Sequence, residues 1–69
     1  MNNLAAEKFA NNFKIIRINK ELSIYQIAKD TGLSQGFLTD IENHKNIPSL
    51  KTVSLLAEYF GVEIYELFL

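Results

Sequence analysis

Serine and glycine residues divide this 69-residue chain into short helical segments. It has only three glycines and one proline, and no stretch shows the Val-, Ile- and Thr-rich alternation that is typical of strands. The sequence therefore predicts an all-α fold of five helices, with residues 1–69 forming one compact domain. The first helix is predicted over about residues 4–20, with Asn2 or Asn3 as its N-cap.

A capping box marks the start of the second helix. Ser23 precedes Gln26 by three positions, so the serine hydroxyl can accept a hydrogen bond from the Gln26 amide while the glutamine side chain reaches back. Gly32 supplies the left-handed residue at which helices end. The second helix is therefore predicted over about residues 24–31.

Serine caps and glycine stops also set the later boundaries. They predict helices over about residues 35–43, 50–60 and 64–69, of which the first two follow Ser34 and Ser49. Two helices of about eight residues joined by a short turn that contains glycine form a helix-turn-helix. That spacing alone is a weak signal of function, because any pair of helices in a hairpin produces it.

Charge is unevenly distributed along the chain. The net charge is −1 at pH 7, and overall acidity counts against nucleic-acid binding, because most such domains are basic. All seven lysines and arginines, however, lie at or before Lys51, whereas the only charged residues after it are Glu58, Glu63 and Glu66. An acidic chain of this kind can still present one basic face.

Composition excludes several classes of site. The chain has no cysteine and a single histidine, His44, so neither a disulfide framework nor a metal site is expected. It also lacks a glycine-rich phosphate loop, so we expect no enzyme, no cofactor and no small-molecule substrate. Its apolar runs are too short to span a membrane, and the N-terminus lacks the features of a signal peptide. A cytoplasmic protein is the expectation.

The residues around the helix-turn-helix carry a more specific signal. They resemble the Xre-type family of phage repressors in Ser23-Ile24-Tyr25-Gln26-Ile27-Ala28, Gly32-Leu33-Ser34, Leu38, Ile41-Glu42 and Pro48-Ser49-Leu50. The likeness continues through Ala57, Gly61-Val62 and Leu67 and so covers nearly the whole chain. It implies a lambda-repressor-like domain of five helices, with the third helix in the major groove of double-stranded DNA and the second across the backbone.

The resemblance also implies which residues contact DNA. It places five residues at the bases in the major groove: Gln35, Gly36, Phe37, Thr39 and Asp40. It places seven at phosphates, through side chains or through amides at a helix N-terminus: Lys14, Arg17, Ser23, Ile24, Asn43, His44 and Lys45. A glutamine amide can pair with N6 and N7 of adenine at once, which suits Gln35 to sequence recognition.

Several of these residues also have structural interpretations. Gln35 could be a solvated residue of the first turn, and Phe37 could either pack on the rim of the core or meet a thymine methyl. Arg17 and Glu42 match a family pair that ties the first helix to the recognition helix. We therefore expect an ion pair between them, which positions the helices more than it stabilises them because desolvation offsets the attraction.

The sequence departs from the family pattern at four positions. His44 and Glu21 stand where family members usually have turn glycines, and histidine tolerates the left-handed region only at some cost. Ile24 replaces a common polar phosphate contact, and Gly36 brings no side chain to the bases. Fewer base-contacting groups imply modest sequence discrimination or a greater reliance on DNA shape.

Large side chains accumulate toward the C-terminal end of the chain. They are Leu55, Tyr59, Tyr65, Phe68 and Leu69. A chain of this length cannot bury all of them, and exposed apolar patches of this kind usually mark an interface. The five residues therefore predict a homodimer, which would present two recognition helices about 34–36 Å apart to one face of the DNA.

Two functions are consistent with these observations. The first is a sequence-specific transcriptional regulator, a homodimeric repressor of a palindromic operator, which Gln35, Lys45 and the intact helix caps favour. The alternative is a protein-interaction module of the same fold that binds an antirepressor or a toxin-like partner. Net acidity, Asp40 and Gly36 favour that alternative.

Overall fold

Serine side chains cap three of the helices. In the computed structural model, which describes residues 4–69, three backbone amides donate to serine Oγ atoms over 3.0, 3.0 and 3.3 Å: Gln26 to Ser23, Phe37 to Ser34 and Thr52 to Ser49. These amides belong to first helical turns, where no backbone carbonyl is available to accept from them. The N-cap predicted at Asn2 or Asn3 lies outside the described residues.

Four α-helices and a short 3₁₀-helix account for the described chain. They are α1 (Leu4–Asn19), α2 (Ile24–Thr31), α3 (Gln35–Glu42), α4 (Leu50–Phe60) and the C-terminal 3₁₀-helix (Ile64–Phe68). Residues 4–69 contain no strand, so the all-α prediction is confirmed. α2 and α4 coincide with their predicted ranges, whereas α1 and α3 each end one residue earlier than predicted.

The expectation of five α-helices is wrong, because the segment after Gly61 does not form one. Residues 64–68 form a 3₁₀-helix instead, in which hydrogen bonds join residues three positions apart. The Glu66 amide donates to the Glu63 carbonyl at 3.0 Å. The Glu66 carboxylate in turn accepts from the Glu63 amide at 2.7 Å. Short terminal segments commonly adopt this 3₁₀ geometry, since they are too brief to propagate an α-helix.

α1 and α3 are followed by residues in the left-handed region. Glu21 has φ 56° and His44 has φ 63°, at the two positions where the sequence departs from the family's turn glycines. The next residue in each case closes the helix end by donating to a carbonyl five residues earlier: Leu22 to Arg17 at 3.0 Å and Lys45 to Asp40 at 2.7 Å. This pattern satisfies carbonyls that the helix leaves without partners.

Gln26 does not complete the predicted capping box. Its Nε2 atom donates to Oδ1 of Asp30 at 2.8 Å, one turn further along α2, instead of reaching back to the backbone of Ser23. The cap at Ser23 is present, but the reciprocal half of the box is wrong. The Asp30 carboxylate provides a charged acceptor one helical turn away, and a charge-assisted hydrogen bond is stronger than a neutral one.

The core contains side chains from all five elements. Its fully buried members are Phe9, Phe13, Ile27, Leu38, Ile41, Leu56 and Leu67. The Phe13 ring centroid lies 6.2 Å from that of Phe9 and 5.7 Å from that of Phe60, distances typical of favourable aromatic pairs. Nδ2 of Asn12 donates to the carbonyls of Leu67 and Leu69 at 3.2 and 3.0 Å. The C-terminal segment is thereby fastened to α1.

Candidate nucleic-acid interface

α3 has one buried face and one exposed face. Leu38 and Ile41 are buried in the core, whereas Gln35, Gly36 and Thr39 are exposed. Helix positions advance by about 100° per residue, so the three exposed residues lie together on the side away from the core. The helix-turn-helix therefore presents a strip of α3 that is free to contact another molecule.

Phe37 and Asp40, the other two residues expected at the bases, are less available. Phe37 is half-buried and packs against the core, which places it on the core rim, one of its two interpretations from the sequence. Asp40 is also half-buried, and its carbonyl accepts from the amide of Lys45. Asp40 borders the exposed strip of α3, and Phe37 lies beyond Asp40, toward the core.

The loop after α3 exposes three polar side chains in succession. Asn43, His44 and Lys45 are all exposed, and the left-handed backbone at His44 turns the chain away from the helix. Lys14 of α1, another expected phosphate contact, is exposed as well. Long exposed lysine side chains can reach a phosphate oxygen.

The start of α2 offers backbone amides and one residue that the sequence reasoning missed. The hydroxyl of Ser23 accepts from the Gln26 amide, and the side chain of Ile24 packs partly against the core. Ile24 can therefore contribute its first-turn amide, but not its side chain, to an anion. Tyr25 exposes 59% of its surface in the same turn. Tyr25 directly follows Ile24, a residue already expected at a phosphate, and this adjacency was the sequence signal that could have included it in the candidate site.

Arg17 and Glu42 form a two-pronged ion pair between α1 and α3. Nε and Nη2 of Arg17 donate to the two carboxylate oxygens of Glu42 at 2.9 and 2.8 Å, and Nη1 donates to the carbonyl of Leu22 at 2.9 Å. The side chains are only 18% and 11% exposed. The hydrogen bond to Glu42 raises the pKa of Arg17 above its ordinary value, although burial opposes this. The main role of Arg17 is therefore to hold α1 against α3.

The helix-turn-helix geometry of α2 and α3 agrees with the family that matches the sequence. The helix-turn-helix family HTH_3 matches residues 13–67, a range that contains α2, α3 and the ion pair. The chain belongs to this phage-repressor-like, Xre-type family. Xre-type proteins are DNA-binding transcriptional regulators and do not form an enzyme class.

Two relatives of this Xre-type chain come from Bacillus phage phi105. The immunity repressor protein is 35% identical over 51 residues, which make up 74% of this chain but only 35% of that protein. The ImmF control region 10 kDa protein is 34% identical over 61 residues, 88% of this chain and 68% of that protein. An uncharacterised HTH-type transcriptional regulator of Methanocaldococcus jannaschii is 36% identical over 59 residues, 86% of this chain and 89% of that protein. No solved structure matches the chain.

The Xre-type chain also contains a tie between α2 and α4 that the sequence reasoning did not anticipate. Oη of Tyr59 donates to Oδ2 of Asp30 at 2.6 Å, and the other carboxylate oxygen of Asp30 accepts from Gln26. The hydrogen bond to Asp30, helped by partial burial, raises the pKa of Tyr59 to about 12. The two residues are 29 positions apart, so no local pattern could have paired them.

The five residues expected at a dimer interface divide into two groups. Tyr59 and Phe68 are half-buried and pack against the core, and the ring centroids of Phe68 and Phe9 lie 5.6 Å apart. Leu55, Tyr65 and Leu69 are exposed, the last two by 65% and 75%. In this Xre-type chain, packing against the core therefore buries more of the C-terminal aromatic surface than the sequence predicted.

Residues 4–69 lack two kinds of feature, a metal-binding cluster and a membrane-spanning helix. Within that range no group of three or more His, Asp or Glu side chains is arranged to hold a metal ion. None of the helices described there is both long enough and apolar enough to pass through a lipid bilayer.

Proposed function

We propose that this chain is a transcriptional repressor that binds a palindromic operator as a homodimer, with α3 in the major groove. The observation that carries the proposal is the exposed strip of Gln35, Gly36 and Thr39 on a helix whose other face is buried. A helix presented in this way by a capped helix-turn-helix has the shape that enters a major groove. The ion pair of Arg17 and Glu42 holds α3 against α1 and so fixes the angle of entry.

Base and phosphate contacts have different roles in this proposal. Gln35 pairs with an adenine through its amide, and Thr39 touches a thymine methyl or a phosphate. Asp40, at the border of the strip, accepts from cytosine N4 and repels phosphate elsewhere, while Phe37 adds an apolar edge. These contacts specify the sequence, because base edges carry sequence information that phosphates do not.

Phosphate contacts fix the position of the protein on the duplex. Lys14 and Lys45 supply exposed cations, with Asn43 and His44 beside Lys45 in the loop after α3. Ser23 and Ile24 contribute the start of α2, whose first-turn amides face an anion favourably. Arg17 keeps N–H groups beyond those bonded to Glu42 and Leu22, because a guanidinium has five, so it can also meet a phosphate from its place in the ion pair.

The dimer surface in this proposal is centred on Leu55, Tyr65 and Leu69, with Tyr59 and Phe68 at its buried edge. Large apolar side chains that form a contiguous exposed patch are typical of an interface. A two-fold axis through this surface would present two α3 helices to successive turns of one DNA face. Repression is the favoured sign of regulation, because one relative is named an immunity repressor.

A selection from random DNA tests this function and identifies the operator at the same time. Purified protein would be used to enrich duplexes from a random-sequence library, and the enriched duplex would be titrated by fluorescence anisotropy. We expect a two-fold symmetric sequence whose half-site centres lie about 34–36 Å apart. Binding that is equally weak for all duplexes would contradict the proposed sequence-specific repressor.

That second outcome would favour the alternative, a protein-interaction module that binds an antirepressor or a toxin-like partner. The chain carries a net charge of −1. It also has an apolar groove of about 230 Å³ between α1, α4 and the C-terminal 3₁₀-helix, lined by Ala5, Ala6, Ile47, Pro48, Leu50, Val53 and Phe68. Ile47 and Leu50 are largely exposed at this groove, as residues at a protein contact often are before the partner binds.

A further inference from the structure

Gly36 is the one glycine whose backbone does not require a glycine. Gly32 and Gly61 have φ values of 81° and 72°, in the left-handed region that other residues enter at a cost. Gly36 is the second residue of α3, has helical backbone, and is absent from the residues with positive φ. Any L-amino acid could adopt its conformation.

Packing does not require a glycine at this position either. If a Cβ atom is built on Gly36, no heavy atom in residues 4–69 lies within 4 Å of it, its chain neighbours and the backbone of its own helix excepted. Gly36 is exposed, so a side chain would project into solvent. A glycine in a helix destabilises the fold relative to alanine. The isolated protein would therefore be more stable with alanine here.

The position of Gly36 on α3 indicates what does require it. At about 100° per residue, Gly36 lies on the helix surface between Thr39 and Asp40, with Gln35 on the far side of Thr39. A flat molecular edge that touches the side chains of Thr39 and Asp40 on either side comes nearest to the helix backbone at Gly36. Removing a Cβ there lets that edge approach by roughly one C–C bond length, about 1.5 Å.

We propose that Gly36 is the point at which the backbone of α3 contacts the edge of an operator base pair, so that a Cβ fits the free protein but not the complex. The inference rests on the function proposed above and adds to it a residue that sets how deeply α3 enters the groove. The closer approach brings the side chains of Gln35 and Thr39 within reach of the bases. Gly36 thus contributes to specificity because the absence of a Cβ lets the backbone of α3 approach the bases closely.

Gly36→Ala tests this inference, because its effects on the fold and on DNA binding have opposite signs. Alanine should raise Tm by roughly 2–6 °C, since it removes a helical glycine from a domain of this size. Affinity for the selected operator should fall about 10- to 100-fold, the range that loss of a good base contact gives. Affinity for a scrambled duplex should change much less, because phosphate contacts dominate there.

Two control variants separate a steric effect from a change in helix stability. Asn11→Ala is made at an exposed position in the middle of α1. It should also raise Tm, and it should leave operator affinity unchanged. Gly36→Ser carries the same Cβ as alanine with a lower helix propensity, so it should weaken operator binding at least as much as Gly36→Ala while raising Tm less.

The possible results distinguish failure of this inference from failure of the proposed function. Wild-type protein that selects an operator, with Gly36→Ala binding it within twofold of wild type, would overturn the role of Gly36 alone. A lower Tm for Gly36→Ala would overturn it too, because the room for a Cβ would then be absent. Wild-type protein that selects no sequence would overturn the proposed function itself.

Discussion

At the scale of single residues, two side chains occupy backbone conformations that suit glycine. Glu21 and His44 follow the ends of α1 and α3 with φ values of 56° and 63°. The left-handed region brings Cβ too close to the following carbonyl oxygen, which costs roughly 1–2 kcal/mol for a non-glycine residue. The turns persist because the backbone hydrogen bonds that follow each residue hold them closed.

Glu21→Gly is therefore expected to stabilise the fold. The gain should be about 0.5–1 kcal/mol, because relief of the left-handed strain exceeds the extra backbone entropy that glycine loses on folding. Urea denaturation would measure it, with Glu21→Ala as the matched control that removes the carboxylate and keeps the Cβ. Equal stability of the two variants would show that charge, and not backbone strain, is responsible.

At the scale of helices, local signals were sufficient to predict most boundaries. Ser23, Ser34 and Ser49 each cap a helix through a hydrogen bond three residues away, and such short-range chemistry is visible in a sequence. The exposed strip of α3 follows equally from the spacing of Leu38 and Ile41. The fold class and the outward face of the candidate site could thus be predicted from the sequence.

What the sequence did not reveal depends on long-range packing or on competition between partners. Tyr59 donates to Asp30 only because packing in the core brings α2 and α4 together. Gln26 donates to the same carboxylate instead of completing its capping box. Phe68 lies against Phe9 of α1, a packing partner that the helical pattern did not indicate. Each outcome depends on which surfaces meet, which a helical pattern does not specify.

Removing one partner of the ion pair between α1 and α3 should destabilise the fold measurably, although the intact pair positions the helices more than it stabilises them. Glu42→Ala leaves the guanidinium of Arg17, only 18% exposed, without its charged partner. We expect a loss of about 2–3 kcal/mol, less than for a fully buried pair because water still reaches this one. Urea denaturation gives the value, and Glu42→Gln, which keeps acceptor geometry, should lose less. An unchanged midpoint for Glu42→Ala would mean that the pair contributes nothing.

The tie between α2 and α4 predicts a dependence of stability on alkaline pH. The pKa of Tyr59 in the folded protein is raised to about 12 from the ordinary value of 10.0. The folded state therefore favours the protonated phenol, so this stabilisation is present below about pH 10 and is lost as the pH rises through 12. Tyrosinate absorbance should show an ionisation step near pH 12 that is absent from Tyr59→Phe. Identical absorbance titrations near pH 12 for the wild type and Tyr59→Phe would contradict the hydrogen bond.

At the scale of the whole molecule, the radius of gyration is only 10.9 Å, and a core this small supplies limited stability by itself. Association through Leu55, Tyr65 and Leu69 would add buried apolar area. Tyr65→Asp places a charge at the centre of that surface, and we expect it to yield monomers in sedimentation equilibrium. Affinity for a palindromic site should then fall steeply, because each half-site binds without the effective concentration that a dimer provides.

Glu58→Gln is the matched control for that experiment, because it changes a charge on α4 beside the same surface without burying a new one. It should remain dimeric. A wild-type chain that sediments as a monomer at tens of micromolar, both alone and with DNA, would contradict the dimer. Monomeric binding to a single half-site would then replace it.

The central claim is that the exposed strip of α3 recognises base pairs, and Gln35→Ala tests it most directly. Gln35 is exposed at the start of α3, so its removal should leave the fold intact. Fluorescence anisotropy should show affinity for the selected operator falling by about 1–3 kcal/mol, with affinity for a scrambled duplex nearly unchanged. Equal losses on both duplexes, or no loss on either, would contradict base recognition by this face of α3.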